Sequence, residues 1–151
     1  MKFEKFLKGV GTHGEVINVG ANQKWLCCGG VGMLIPNGVE NLLGTTTDGK
    51  YLDTVKVLVT QPLDEPMELT KAILKEPTGG AKDIYRVFEG IFGYIVGISN
   101  ADYGLLERGD RLGYCEINIP QDEGEDIQIK YLLVFDRQDN VIGFITGSEL
   151  F

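Results

Sequence analysis

Apolar residues at Phe3, Phe6, Leu7 and Val10 follow the i, i+3, i+4, i+7 spacing of one helix face, and Gly9 and Gly11 supply the end of a short amphipathic helix. The period then changes. Glu15-Val16-Ile17-Asn18-Val19 and Lys24-Trp25-Leu26-Cys27-Cys28 are rich in β-formers, and the intervening Gly20-Ala21-Asn22-Gln23 has the length and chemistry of a hairpin loop. Val31 to Pro36 extends the pattern into a third strand.

Asn37 to Gly49 reads as a loop, with Asn37-Gly38 and Asp48-Gly49 as turn signals. Leu52, Val55, Leu58 and Val59 then favour a helix, although Val55 and Val57 to Thr60 equally suit a strand. Pro66 fits the first position of a helix over Met67–Glu76, with Leu69, Ala72, Ile73 and Leu74 as its apolar stripe and Pro77 as its stop. Asp83 is placed to cap a further helix with Ile84, Val87, Phe88 and Ile91 on its buried face, ended by Gly93. Beyond it Tyr94–Ile98, Leu112–Ile119, Ile127–Phe135 and Val141–Thr146 are strand-like, joined by turns at Asp122–Asp126 and Asp136–Asn140. The expected architecture is a single α+β domain over 1–151: an N-terminal helix plus a short hairpin sheet, central helices, and a C-terminal antiparallel meander. Each half can be written as a helix followed by strands, Phe3–Val10 with Glu15–Pro36 and Asp83–Phe92 with Tyr94–Ile119, but the residues of the halves do not align.

Composition narrows the functional classes. A chain of 151 residues with 43% apolar residues can bury a core without metal or disulfide support. Its 21 glycines are scattered through apolar segments, which points to many tight turns. Twenty-two acids against fourteen bases give a net charge of −8, so the surface repels phosphate and nucleic acid is not an expected partner except through a clamp-like ring. No apolar run reaches the length of a membrane span and the N-terminus lacks a secretion-signal core, so a cytoplasmic protein is expected. Cys27, Cys28 and Cys115 form an odd set that reads as small buried apolar residues.

Few residues form constellations with a chemical meaning. Gly9-Val10-Gly11-Thr12-His13-Gly14 spells G-x-G-x-x-G, but a helix precedes it and a strand follows, the reverse of the dinucleotide-binding order. Cys28-Gly29-Gly30-Val31-Gly32 lacks the Lys-Ser/Thr of a phosphate loop and reads as a bulge between strands. His13 is the only histidine, so imidazole catalysis would have to use it, with a cysteine as nucleophile. A pocket lined by His13, Gly30 and Gly32 is the corresponding ligand-binding reading, and a turn histidine the structural one. One His and three Cys with no C-x₂₋₄-C pair predict no metal site, and no cofactor is expected. Asp122, Glu123, Glu125 and Asp126 around Gly124 can imitate phosphates toward a basic partner, or form a solvated hairpin tip. Asp102 and Tyr103, in a polar stretch running to Arg111, suggest a turn with an exposed ring and an interaction surface.

Met1–Gly11, Trp25-Leu26-Cys27, Gly32-Met33, Ile35-Pro36, Asn100–Glu107 and Gly143–Gly147 together resemble small uncharacterised proteins of phages and prophages of Gram-positive bacteria. That resemblance implies an accessory role in a mobile element and carries no functional residue with it. The leading expectation is a non-enzymatic protein that binds a protein partner or itself, including an acidic inhibitor of a nucleic-acid-binding protein. The helix-plus-strands halves also resemble the repeated unit of sliding clamps, which implies an oligomeric ring.

Overall fold

A computed structural model describes residues 1–11, 13–20, 23–39, 49, 51–75 and 84–149. Along the chain the elements are α1 (Phe3–Val10), β1 (Glu15–Asn18), β2 (Lys24–Cys28), β3 (Val31–Leu34), α2 (Leu52–Leu58) and β4 (Met67–Lys75). There follow β5 (Ile84–Gly90), β6 (Ile95–Ser99), α3 (Asn100–Tyr103), β7 (Arg111–Ile119), β8 (Ile127–Phe135) and β9 (Val141–Thr146).

The opening helix forms where the apolar spacing places it, burying Phe6 and Val10 and turning out of its last turn at Gly11, whose φ of +57° suits glycine. The hairpins of the first third also form. Between β2 and β3 the loop is only Gly29-Gly30, with φ of +60° and +80°, so two positive-φ residues make a tight reversal where a bulge was expected.

Three-stranded meanders from the two ends of the chain join into one sheet of order β1-β2-β3-β9-β8-β7, antiparallel throughout, with β3 paired to β9 at its centre. Both faces of this sheet are covered, which explains why Tyr131 to Phe135 of β8 are five consecutive buried residues. Leu26, Met33, Leu132 and Ile145 point to one face, where they meet α1 and the second sheet. Trp25, Cys27, Leu133 and Phe144 point to the other, where Val55 and Leu58 of α2 cover them. A register shift between Val134 and Phe135 keeps Val141 and Phe144 on the same face despite their odd spacing.

The middle of the chain overturns the α+β expectation. The protein is mostly β, and its second sheet, of order β4-β5-β6, is built from segments expected to be helices. Met67–Lys75 is a strand, and so is Ile84–Gly90. Both segments satisfy a helical period, but they also satisfy the strand period: in Ile84-Tyr85-Arg86-Val87-Phe88, a β-branched and aromatic run, Phe88 faces the core while Tyr85, Val87 and Glu89 share the opposite face. Pairing of Phe88 with Leu69 on one side and Val96 on the other brings Met67, Phe88 and Val96 of three strands into one core, a long-range gain that local periodicity does not register. Pro66, expected at a helix start, instead bridges to Gly113, and Gly93, expected at a helix end, closes the β5–β6 turn at φ +86°. The strand expected at Tyr94–Ile98 exists as Ile95–Ser99 but belongs to this second sheet, so the C-terminal meander comprises β7, β8 and β9. Asp83 and most of the Asn37–Gly49 loop lie outside the described residues. Because Ile84–Gly90 is a strand, the helix expected over Asp83–Phe92 does not form, and the clamp-like repeat loses the feature on which it rested.

Candidate interaction surface

Gly90 to Tyr94 reverses the chain between β5 and β6. The amide of Gly90 donates to the Tyr94 carbonyl at 3.0 Å and that of Gly93 to the Gly90 carbonyl at 3.0 Å. A third bond comes from outside the hairpin: Glu65, only 6% exposed, accepts from the Phe92 amide at 3.0 Å through Oε1. Glu65 also anchors the hairpin to the large sheet, because its carbonyl accepts from the Tyr114 amide at 3.1 Å. The fit is tight. A Cβ on Gly90 would lie 2.1 Å from Glu65 Oε1 and 2.9 Å from Met67 Sδ, so only glycine lets the carboxylate reach the turn.

This anchored turn displays two large apolar side chains to solvent, Ile91 at 80% and Phe92 at 70% exposure. Tyr94 and Ile95 continue the apolar surface. The Tyr94 ring stacks on Tyr114 with centroids 4.6 Å apart, and the Tyr114 hydroxyl donates to Glu116 at 2.9 Å. Burial, reinforced by that carboxylate, pushes the Tyr114 phenol far above its ordinary range, so it stays neutral. Scattered exposed apolar residues are ordinary, but adjacent ones on a tip held by three hydrogen bonds and a stacked ring form a presented patch.

Beside the patch, β4 carries Glu68 directly opposite Glu89 of β5. Neither carboxylate has an ion-pair partner among the described residues. Two clefts of about 500 Å³ meet on Glu68 and Leu69. One reaches Pro66, Lys71 and Ile91; the other runs under Tyr103 and Leu106 to Lys2 and Arg108.

No protein-family model, curated protein or solved structure matches this chain.

The residues singled out in the sequence are dispersed. Asp122, Glu123, Glu125 and Asp126 form the exposed loop that closes β7 onto β8, beyond the Ile119–Ile127 pair, with Gly124 at φ +90°. Asp102 and Tyr103 sit on α3, where Ser99 Oγ accepts from the Asp102 amide at 3.1 Å. Tyr103 is not a free ring: it packs against Phe88 at 6.3 Å, and the Arg86 guanidinium lies 4.8 Å from its centroid. Asp102 is half-buried, and desolvation raises its pKa despite the Ser99 bond.

His13 follows α1 in an exposed bend, its amide donating to the Val10 carbonyl. Gly30 belongs to the β2–β3 turn, where its amide donates to the Tyr51 hydroxyl and its carbonyl accepts from Thr146. Gly32 lies beneath the Phe144 ring, so its side is filled by protein and offers no space to a ligand. Cys27 is buried and its thiol is pushed up to about 12, first by desolvation and then by Glu15 and Cys28. Cys115 is buried too, with its pKa likewise raised by desolvation. Both therefore remain thiols at neutral pH, unsuited to nucleophilic attack. Among the described residues no cluster of three or more His, Cys, Asp and Glu side chains is arranged to hold a metal ion, and no helix is long and apolar enough to cross a membrane.

The sequence reading missed Glu65, Ile91 and Phe92. Their signal lay in Gly90-Ile91-Phe92-Gly93, two glycines three apart between β-branched runs, which is hairpin chemistry rather than a helix end.

Proposed function

We propose that the protein is a non-enzymatic accessory protein, of the kind its resemblance to phage and prophage proteins suggests, that acts in the cytoplasm by binding another protein. The observation that carries this reading is the rigidly held Ile91–Phe92 tip, which exposes apolar surface with no role in the protein's own core. Aromatic and aliphatic side chains on a preorganised element supply affinity at little entropic cost. The net charge of −8 steers this surface toward basic partners, a nucleic-acid-binding protein among them, and away from nucleic acid itself.

The test is affinity capture from a Gram-positive bacterial lysate with three immobilised proteins: the wild type, Ile91→Ser/Phe92→Ser, and Glu123→Gln/Glu125→Gln. A partner retained by the wild type and by the loop variant, but bound about a hundredfold more weakly by the tip variant, is the expected result. Equal retention by the tip variant, with loss in the loop variant, would place the interaction on the acidic β7–β8 loop instead.

A further inference from the structure

We infer that β4 is the docking edge for an extended peptide segment of the partner, one that alternates lysine or arginine with apolar residues; this rests on the protein-binding reading above and specifies the partner's form and charge. β4 is an edge strand. Its start is closed by the Pro66–Gly113 bridge; beyond it, among the described residues, Glu68 and Leu69 pair with β5 alone, and a register shift interrupts the ladder between Leu69 and Ile73. An extended chain added to such an edge gains main-chain hydrogen bonds, while specificity comes from alternate side chains entering flanking clefts. The two clefts that meet on Glu68 and Leu69 supply those sites, and Ile91 of the exposed tip lines one of them.

Charge decides the kind of segment. Like charges directly opposite on neighbouring strands destabilise a sheet, yet Glu68 faces Glu89 with no compensating cation among the described ion pairs. A lysine or arginine laid along β4 neutralises both carboxylates at once. Glu68 and Leu69 are successive residues and therefore project to opposite faces, so a segment matching them carries its cation and its apolar side chain at adjacent positions. A second copy of this chain is a poor occupant, because its own β4 edge brings the same pair of carboxylates.

Selection from a displayed library of random dodecapeptides against the full chain tests this. Enriched sequences should alternate Lys or Arg with apolar residues. A synthetic representative should bind Glu68→Gln/Glu89→Gln about three- to tenfold more weakly than wild type, and Glu123→Gln/Glu125→Gln, which removes the same charge elsewhere, as well as wild type. Enriched peptides without basic residues that still lose binding to Ile91→Ser/Phe92→Ser overturn the proposed partner chemistry and leave the protein-binding surface standing. Binding indifferent to the tip substitutions overturns both the inference and the reading beneath it. No enrichment overturns the extended-peptide inference alone, since a folded partner is then required.

Discussion

Gly32 shows how one residue type can be read in two ways. In a glycine-rich stretch it suggests a ligand cradle, but here the absent side chain is replaced by a ring from the same protein: a Cβ would sit 2.2 Å from Phe144 Cε1. Phe144 cannot easily move aside, being 1% exposed and packed against Trp25 at 6.2 Å and Tyr131 at 5.9 Å. Gly32→Ala should therefore lower stability by about 1–3 kcal/mol through overpacking, read as a fall in the urea midpoint with an unchanged slope. Asp136 makes a second test at this scale. Its Oδ1 accepts from the amides of Gln138 and Asn140 at 2.9 Å each, and these bonds, the Asn140 amide foremost, hold its carboxyl below the ordinary value of 3.8. A depressed pKa means stability that is present above the ordinary carboxyl range and lost as pH falls through the folded-state value. Asp136→Ala should be less stable than wild type at neutral pH, and the gap should narrow in acid; a gap that widens in acid contradicts the assignment.

Among the elements, the β5–β6 hairpin depends most on a single distant residue. Glu65 joins the turn amide of Phe92 to the β7 amide of Tyr114, through side chain and main chain respectively. Glu65→Ala removes the acceptor for the Phe92 amide and should cost about 1–3 kcal/mol, while Glu65→Gln keeps an acceptor in place. Amide hydrogen exchange at Phe92 and Gly93 should speed up in the alanine variant and change little in the glutamine one; equal exchange in all three proteins would show that the turn holds itself. The elements also show what was legible from sequence. The first helix, the β1–β2 hairpin and the β7–β9 meander could be read because their apolar periods and turn residues agree, while α2 is a helix in a segment whose Val55 and Val57 to Thr60 equally suit a strand. β4 and β5 could not, because Leu69, Ala72 and Ile73, like Ile84, Val87, Phe88 and Ile91, are spaced for a helix as well, and the pairing that decides between them comes from residues elsewhere in the chain. Reading Ile91 as a buried helical position concealed the surface now at the centre of the functional argument. The acidic loop was found in the sequence because clustered charge is local information, whereas Glu68 beside Glu89 is a cross-strand pair separated by most of two strands.

For the molecule as a whole, the two sheets divide the work. The six-stranded sheet is covered on both faces and holds the core, with Trp25, Leu132, Leu133 and Ile145 fully enclosed. The three-stranded sheet shares that core through Met67, Phe88 and Val96 but leaves its β4 edge and the β5–β6 tip in contact with solvent. On the reading proposed above, that apolar, acid-flanked edge is the recognition surface; Cys27 and Cys115 are buried as neutral thiols, and His13 lies exposed after α1. The most direct test is hydrogen–deuterium exchange of the protein alone and in complex with its captured partner. Slowed exchange across Met67–Ala72 and Gly90–Ile95, with Asp122–Asp126 unchanged, is the predicted footprint; protection confined to Asp122–Asp126 would contradict the account and assign binding to the acidic loop.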